Sequence, residues 1–238
     1  MVSFVVDNYN KSRAVEMDLF KWKFSYPVTV LILLLLMTDA GFILVHVLRK
    51  LGYINSGYFN LSQDMGYAEV FQYMKEFWIA SLLVIIALRD KAASFVVWSL
   101  IFLYMLADDS LKVHENGGRY LVEALNIQPA LSLRAQDFGE LLVTAIAGGI
   151  LFSMLFVTYY FASQAARHIT HKLLLGVAGL AFFGILIDML HSALPFGNFI
   201  FGLIEDSGEM LTMSLIVGYC FALMYSQAHN QQRVPSSA

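Results

Sequence analysis

Apolar residues run along this chain in six long blocks, at about 26–48, 70–89, 92–113, 138–163, 172–194 and 202–226, and charge, glycine and aromatic residues collect between them. Each block has close to the roughly 20 residues a helix needs to cross the hydrocarbon core of a bilayer. Backbone groups in lipid must be satisfied within the segment, so each block is read as a transmembrane helix. The link before the third block is a tight charged turn, Arg89-Asp90-Lys91, and short links make sequence neighbours antiparallel. The pattern predicts an all-α polytopic membrane protein, a six-helix transmembrane bundle over 26–226. Residues 1–25 are expected to be a cytoplasmic N-terminal segment and 227–238 a disordered cytoplasmic tail.

Two links are longer. Leu51 to Met65 mixes turn formers with interfacial aromatics, Tyr53, Tyr58 and Phe59. Residues 116–134 open on Asn116-Gly117-Gly118, a stop signal for the third helix, and continue through Tyr120, Leu121, Leu125 and Ile127. That stretch is expected to lie on the membrane surface as a short amphipathic helix.

Composition narrows the class. The chain is 58% hydrophobic and 14% charged with mean hydropathy +0.65, which excludes an ordinary soluble domain. No phosphate-binding loop, dinucleotide fingerprint, nucleophile elbow or basic stripe is present, so nucleic acid is not an expected partner. The expected partners are the bilayer, a lipid or other hydrophobic small molecule, and neighbouring membrane subunits. Cys220 sits inside an apolar run and is expected to pack. No small-residue cleavage pattern follows the first block, which is read as a retained helix.

Charge gives an orientation. With a cytoplasmic N-terminus, Lys11, Arg13, Lys21, Lys23, Arg89, Lys91, Arg167, Lys172 and Arg233 fall on the cytoplasmic side. Arg49, Lys50, Lys75, Lys112, Arg119 and Arg134 fall on the other. The bias favours both termini inside. Among the acids, only Asp7, Glu16, Asp18 and Asp90 share the cytoplasmic side; the other fourteen gather at the outer half.

Those acids include a repeat. Asp137-Phe138-Gly139-Glu140-Leu141-Leu142 returns 69 residues later as Asp206-Ser207-Gly208-Glu209-Met210-Leu211, and Gly149 and Gly218 follow at equal distances. Each copy belongs to a helical hairpin, helices three and four over about 92–163 and helices five and six over about 172–226. Before the first copy come Asp108, Asp109, His114 and Glu115; before the second, Asp188 and His191. Charge inside a membrane is costly unless paired, protonated or facing water, so these groups are functional candidates. Asp188 and His191, three apart, and Glu205 and Glu209, four apart, share helix faces.

Carboxylates with imidazole suit zinc, iron or manganese. The expected ligands of a divalent metal ion, one or two in number, are His114, His191, Glu140, Asp188 and Glu209, with Glu205 and Asp109 as proton-shuttling catalytic residues. The layout resembles the di-metal carboxylate four-helix bundles. That resemblance implies Glu140 and Glu209 as single carboxylates and Asp188-Met189-Leu190-His191 as the acid-x-x-His element. Helix three departs from it, since Leu111 stands three before His114 and Asp109 or Glu115 must substitute. A one-metal site is equally compatible.

Plainer roles compete. Asp137 and Asp206 suit helix N-terminal caps, each histidine alone suits a hydrogen-bonded core residue, and Asp108 with Lys112 suits an i, i+4 ion pair. Asp39 and His46 share a stripe of helix one, and Glu69, Gln72 and Glu76 a face of helix two, as partners that orient ligands or as the walls of a polar entrance, and Asp39 also suits a helix-packing residue. Gly148-Gly149 and Gly218 suit close helix approach. Asn60-Leu61-Ser62 matches a glycosylation acceptor, a pattern common by chance. Three functions compete: a metal-dependent membrane enzyme acting on a lipid or other hydrophobic substrate by hydrolysis or oxidation, with the site near the extracytoplasmic leaflet; a non-catalytic accessory subunit of a larger membrane complex; and a cation transporter or channel.

Overall fold

The computed structural model describes the backbone of residues 25–130, 133–193 and 198–232, and their side chains except for 191–193, 198 and 227–232. The helices are α1 (Tyr26–Lys50), α2 (Tyr67–Asp90), α3 (Ala93–Leu111), α4 (Val113–Leu125), α5 (Ala135–Tyr160), α6 (Gln164–Ala181), α7 (Asp188–Ala193) and α8 (Asn198–Gln232). A 3₁₀ turn at Gly57–Phe59 lies in the first long link. A π-helical stretch, Phe182–Ile187, joins α6 to α7. Among the described residues six spans are long and apolar enough to cross a membrane: α1, α2, α3, α5, Gln164–Leu190 and Phe199–Ser226. The protein is an all-α polytopic bundle, integral to the membrane by many passes.

Three boundaries differ from those the apolar pattern predicts, each for a local reason. The fifth span begins at Gln164, not near 172. Its first turns carry Gln164, Arg167, His168 and His171, which hide the apolar pattern, while the Ser163 side chain accepts the Ala166 N–H at 3.3 Å and caps the helix. The third helix stops at Lys112, in the left-handed region at φ 54°, rather than at Asn116-Gly117-Gly118, which lie inside α4. The last helix runs on through Gln232, because nothing between Ser226 and Gln232 breaks it. The expected segment 1–24 and the final residues 233–238 lie outside the described residues.

α8 is the central element, packed on α1, α2 and α6, while α2 pairs with α3 and α4 with α5. The apolar core runs through Ile79, Leu83, Phe95, Trp98, Phe102, Met213, Val217 and Cys220. Apolar residues left on the outside, such as Leu34, Met37, Ile150, Phe156 and Leu175, face where lipid tails would lie. Lipid is as apolar as the side chains, so close packing holds the helices together. Gly218 has that use, since a Cβ there would overlap Ile32 of α1. Gly149 has no neighbour within 4 Å and Gly148 only a loose one, so the pairing expected of them is absent.

A charged pair lies in this core. The Lys75 ammonium and the Asp39 carboxylate are 3.0 Å apart, both 0% exposed. Lys75 also donates to the Met210 carbonyl at 2.9 Å and to Ser214 at 3.2 Å, and Ser214 donates to Asp39 at 2.5 Å. All three ammonium protons are used, which is the condition for a buried cation to be tolerated. Lys75 is therefore not the outer-loop charge that the count by segments makes it.

Candidate functional site

The repeated acid-x-Gly-Glu element is first a packing device. A Cβ on Gly139 would overlap the Gly118 carbonyl, so α4 and α5 touch backbone to backbone where the two glycines meet. A Cβ on Gly208 would overlap the Phe183 ring, so α8 closes on the π stretch by the same means. Each copy thus presses its long helix against the segment that precedes it, α4 in one and the π stretch Phe182–Ile187 in the other.

The aspartates of the two copies differ. Asp137 caps α5: it accepts the Arg134 N–H at 2.8 Å and receives the Arg134 guanidinium at 2.6 Å. The capping role holds there and fails for Asp206, which stands two turns inside α8 and accepts the Ser62 hydroxyl at 2.6 Å. That bond, with the Leu61 N–H donated to His46 Nδ1 at 3.0 Å, fastens the first long link to the bundle. The Asn60-Leu61-Ser62 triplet is therefore tied into the fold, with Leu61 buried.

The break at Lys112 reorganises the end of α3. An i, i+4 pair of Asp108 with Lys112 does not form, because Lys112 leaves the helical path and pairs with Asp64 and Glu115 instead. Asp108 turns to the next helix: one oxygen accepts the His114 N–H at 2.8 Å and the other lies 3.0 Å from His114 Nδ1. The second contact is off the line of the ring N–H and acts as an ion pair. The Asp108 carboxylate raises the His114 pKa; partial burial works against it, and the nearby charges of Glu140 and Asp109 add to it.

Two cavities meet at this end of the bundle. The larger, about 860 Å³, lies among α2, α3, α5, α6 and α8. One part is polar, with Glu76, Asp109, His114, Glu140, Asp188, Glu205 and Glu209; the other is apolar, with Ile101, Met105, Leu151, Phe152, Val177, Leu180 and Met213. The smaller, about 240 Å³, lies under the first long link, between Leu61, Asp64, Glu69 and Asp206. Gln72, Asp109, His114, Glu115 and Glu209 line both. α5 and α6 are tied at their turn, where Arg167 donates to the carbonyls of Tyr159 and Tyr160 at 3.2 and 2.7 Å and the Tyr159 hydroxyl meets His171 Nε2 at 2.8 Å. Beyond it both line the large cavity.

Within the polar part the Glu76 and Asp109 side chains stand together, with Glu209 beside them. Glu76 is 1% exposed, and its Oε2 has no hydrogen-bond partner. Glu209 rests against Gly184 of the π stretch, where a Cβ would overlap its Oε1. Glu140 accepts the Gln136 amide at 2.8 Å.

The structure thus gathers six of the sequence candidates, His114, Asp109, Glu140, Asp188, Glu205 and Glu209, around one cavity. His191 lies on α7, but its side chain is outside the described residues. Among the described residues no three of His, Cys, Asp and Glu stand in a group that could hold a metal ion. Glu76 was legible only as one member of a polar face. Asp108 was legible among the converging acids, and its bond to His114 stands in place of the pair with Lys112.

Six apolar spans folded on one another define the class, a polytopic helical membrane protein. Within that class the chain belongs to the family described as a domain of unknown function (DUF8692), which matches residues 26–223, nearly all of the spanning bundle. No curated protein and no solved structure matches the chain.

Proposed function

We propose that this protein is a membrane enzyme that draws an amphiphile from the bilayer into the larger cavity and transforms its polar end with water. The observation that carries this reading is the meeting of two unlike cavities at one set of residues. An apolar-walled space suited to a chain and a small polar space under the first long link share Asp109, His114 and Glu209. Water and a hydrophobic substrate would come together at that shared wall.

The chain offers proton-transfer groups there. Asp108 holds the His114 imidazole by Nδ1, which leaves Nε2 to take or give a proton. Asp109 and Glu205 are the carboxylates that pass protons on. A divalent zinc, iron or manganese ion would add Lewis-acid polarisation; binding one takes the Glu209 carboxylate together with Asp188 and the imidazoles of His114 and His191. The excess of Lys and Arg at the other end of the bundle supports an extracytoplasmic position for the site.

The test is turnover of membrane lipid extract by the protein in nanodiscs, with products identified by mass spectrometry and metal content measured alongside. Glu209→Gln and Asp109→Asn are expected to lower turnover by about 100-fold or more at unchanged unfolding temperature. Absence of any product from the wild-type protein supplied with each of the three metals would remove the reading.

A further inference from the structure

The large cavity is built for a particular kind of head group. Among the described residues, nine carboxylates line it against three bases. Two of those bases are already matched, His114 by Asp108 and Arg134 by Asp137, and Arg119 is exposed. A group entering from the apolar part therefore meets an excess of carboxyl groups, which favours a cation over phosphate or carboxylate.

A second observation points to a bound donor. Glu76 Oε2 is buried, lines the cavity and has no hydrogen-bond partner. A buried acceptor left unsatisfied is costly, and the Asp109 and Glu209 carboxylates stand beside it. A protonated amine carries three N–H donors and no acceptor. It can bond several carboxylates at once without the fixed geometry a metal ion demands.

Resting on the reading of the cavity as an amphiphile site, we propose that its ligand is a long-chain amphiphile with a cationic amine head. The ammonium is seated among Glu76, Asp109 and Glu209, and the chain lies along Met105, Leu151, Leu180 and Met213. The volume of about 860 Å³ falls within the roughly 300–1,000 Å³ of sites that enclose small ligands.

Three probes with one chain separate the possibilities: oleylamine, oleyl alcohol and oleyl phosphate, with binding to the nanodisc-embedded protein read by native mass spectrometry. Gly148→Leu serves as a blocking variant, because a side chain there enters the cavity with no close neighbour in its way. Site binding is the part lost in that variant. The amine is expected to bind at least about tenfold more tightly than the other two, and Glu76→Gln and Glu209→Gln are expected to erase most of that preference. Equal binding of all three probes, or a preference for the phosphate, overturns the amine assignment and leaves the amphiphile cavity standing. Zinc or manganese that displaces the amine and is itself lost in Glu76→Gln also overturns it, since Glu76 is not among the residues that would hold a metal in the reading above. Failure of all three to bind above the Gly148→Leu background removes the amphiphile reading itself.

Discussion

At the level of single residues, Lys75 shows how a charge survives in a bundle of oil-facing helices. Its ammonium has three protons and three acceptors, on α1 and twice on α8, so it pins three helices at one point. Removing Asp39 would leave a buried cation with its main counter-charge gone. Asp39→Ala is therefore expected to destabilise the protein by about 3–5 kcal/mol, read as a lower unfolding temperature in detergent. The paired change Asp39→Leu with Lys75→Met should recover most of that loss, since an apolar pair of similar size leaves no charge to compensate. An Asp39→Ala protein as stable as the parent would show the pair to be dispensable. No local pattern announces this partnership: 36 positions separate the two residues, and Lys75 sits in a helix whose Gln72 and Glu76 face the cavity.

At the level of elements, the two acid-x-Gly-Glu copies are alike in what their glycines do and unlike in what their aspartates do. Gly139→Ala sets a methyl against the Gly118 carbonyl and is expected to cost about 1–3 kcal/mol and to loosen α4. Gly149→Ala, ten residues on in the same helix with open space beside it, is expected to be neutral or slightly stabilising. Thermal unfolding of the two variants compares them directly, and equal effects would deny the close contact. The six spans were legible because an apolar run of about twenty residues matches the thickness of the bilayer and exceeds what a small core can bury. The convergence of Glu140, Asp188, Glu205 and Glu209 was legible because repeated hairpins that run the same way deliver matching positions to one end. What stayed hidden depended on a single backbone event. The left-handed turn at Lys112 decides that Asp108 meets His114, and Lys is not a residue whose presence signals such a turn.

At the level of the whole molecule, an even number of crossings puts the α5–α6 turn on the side of Tyr26 and α4 on the other. The basic residues near that turn predict that it faces the cytoplasm. Cys220 is fully buried, so the protein itself should be silent to a polar maleimide. Gln164→Cys is expected to label only after the membrane is opened, and Glu123→Cys on α4 to label in intact cells. The reverse pattern would turn the molecule over and place the acidic cavity on the cytoplasmic leaflet.

The π stretch at Phe182–Ile187 holds one more residue in its turn than an ordinary helix would. Were the same six residues wound as an ordinary α-helix, everything beyond would swing by about 100° around the axis. Asp188 would rotate toward lipid, and the Gly184 surface on which Glu209 rests would be lost. The spare residue works as a phase adjuster, setting where on the compass of the helix its last acid points.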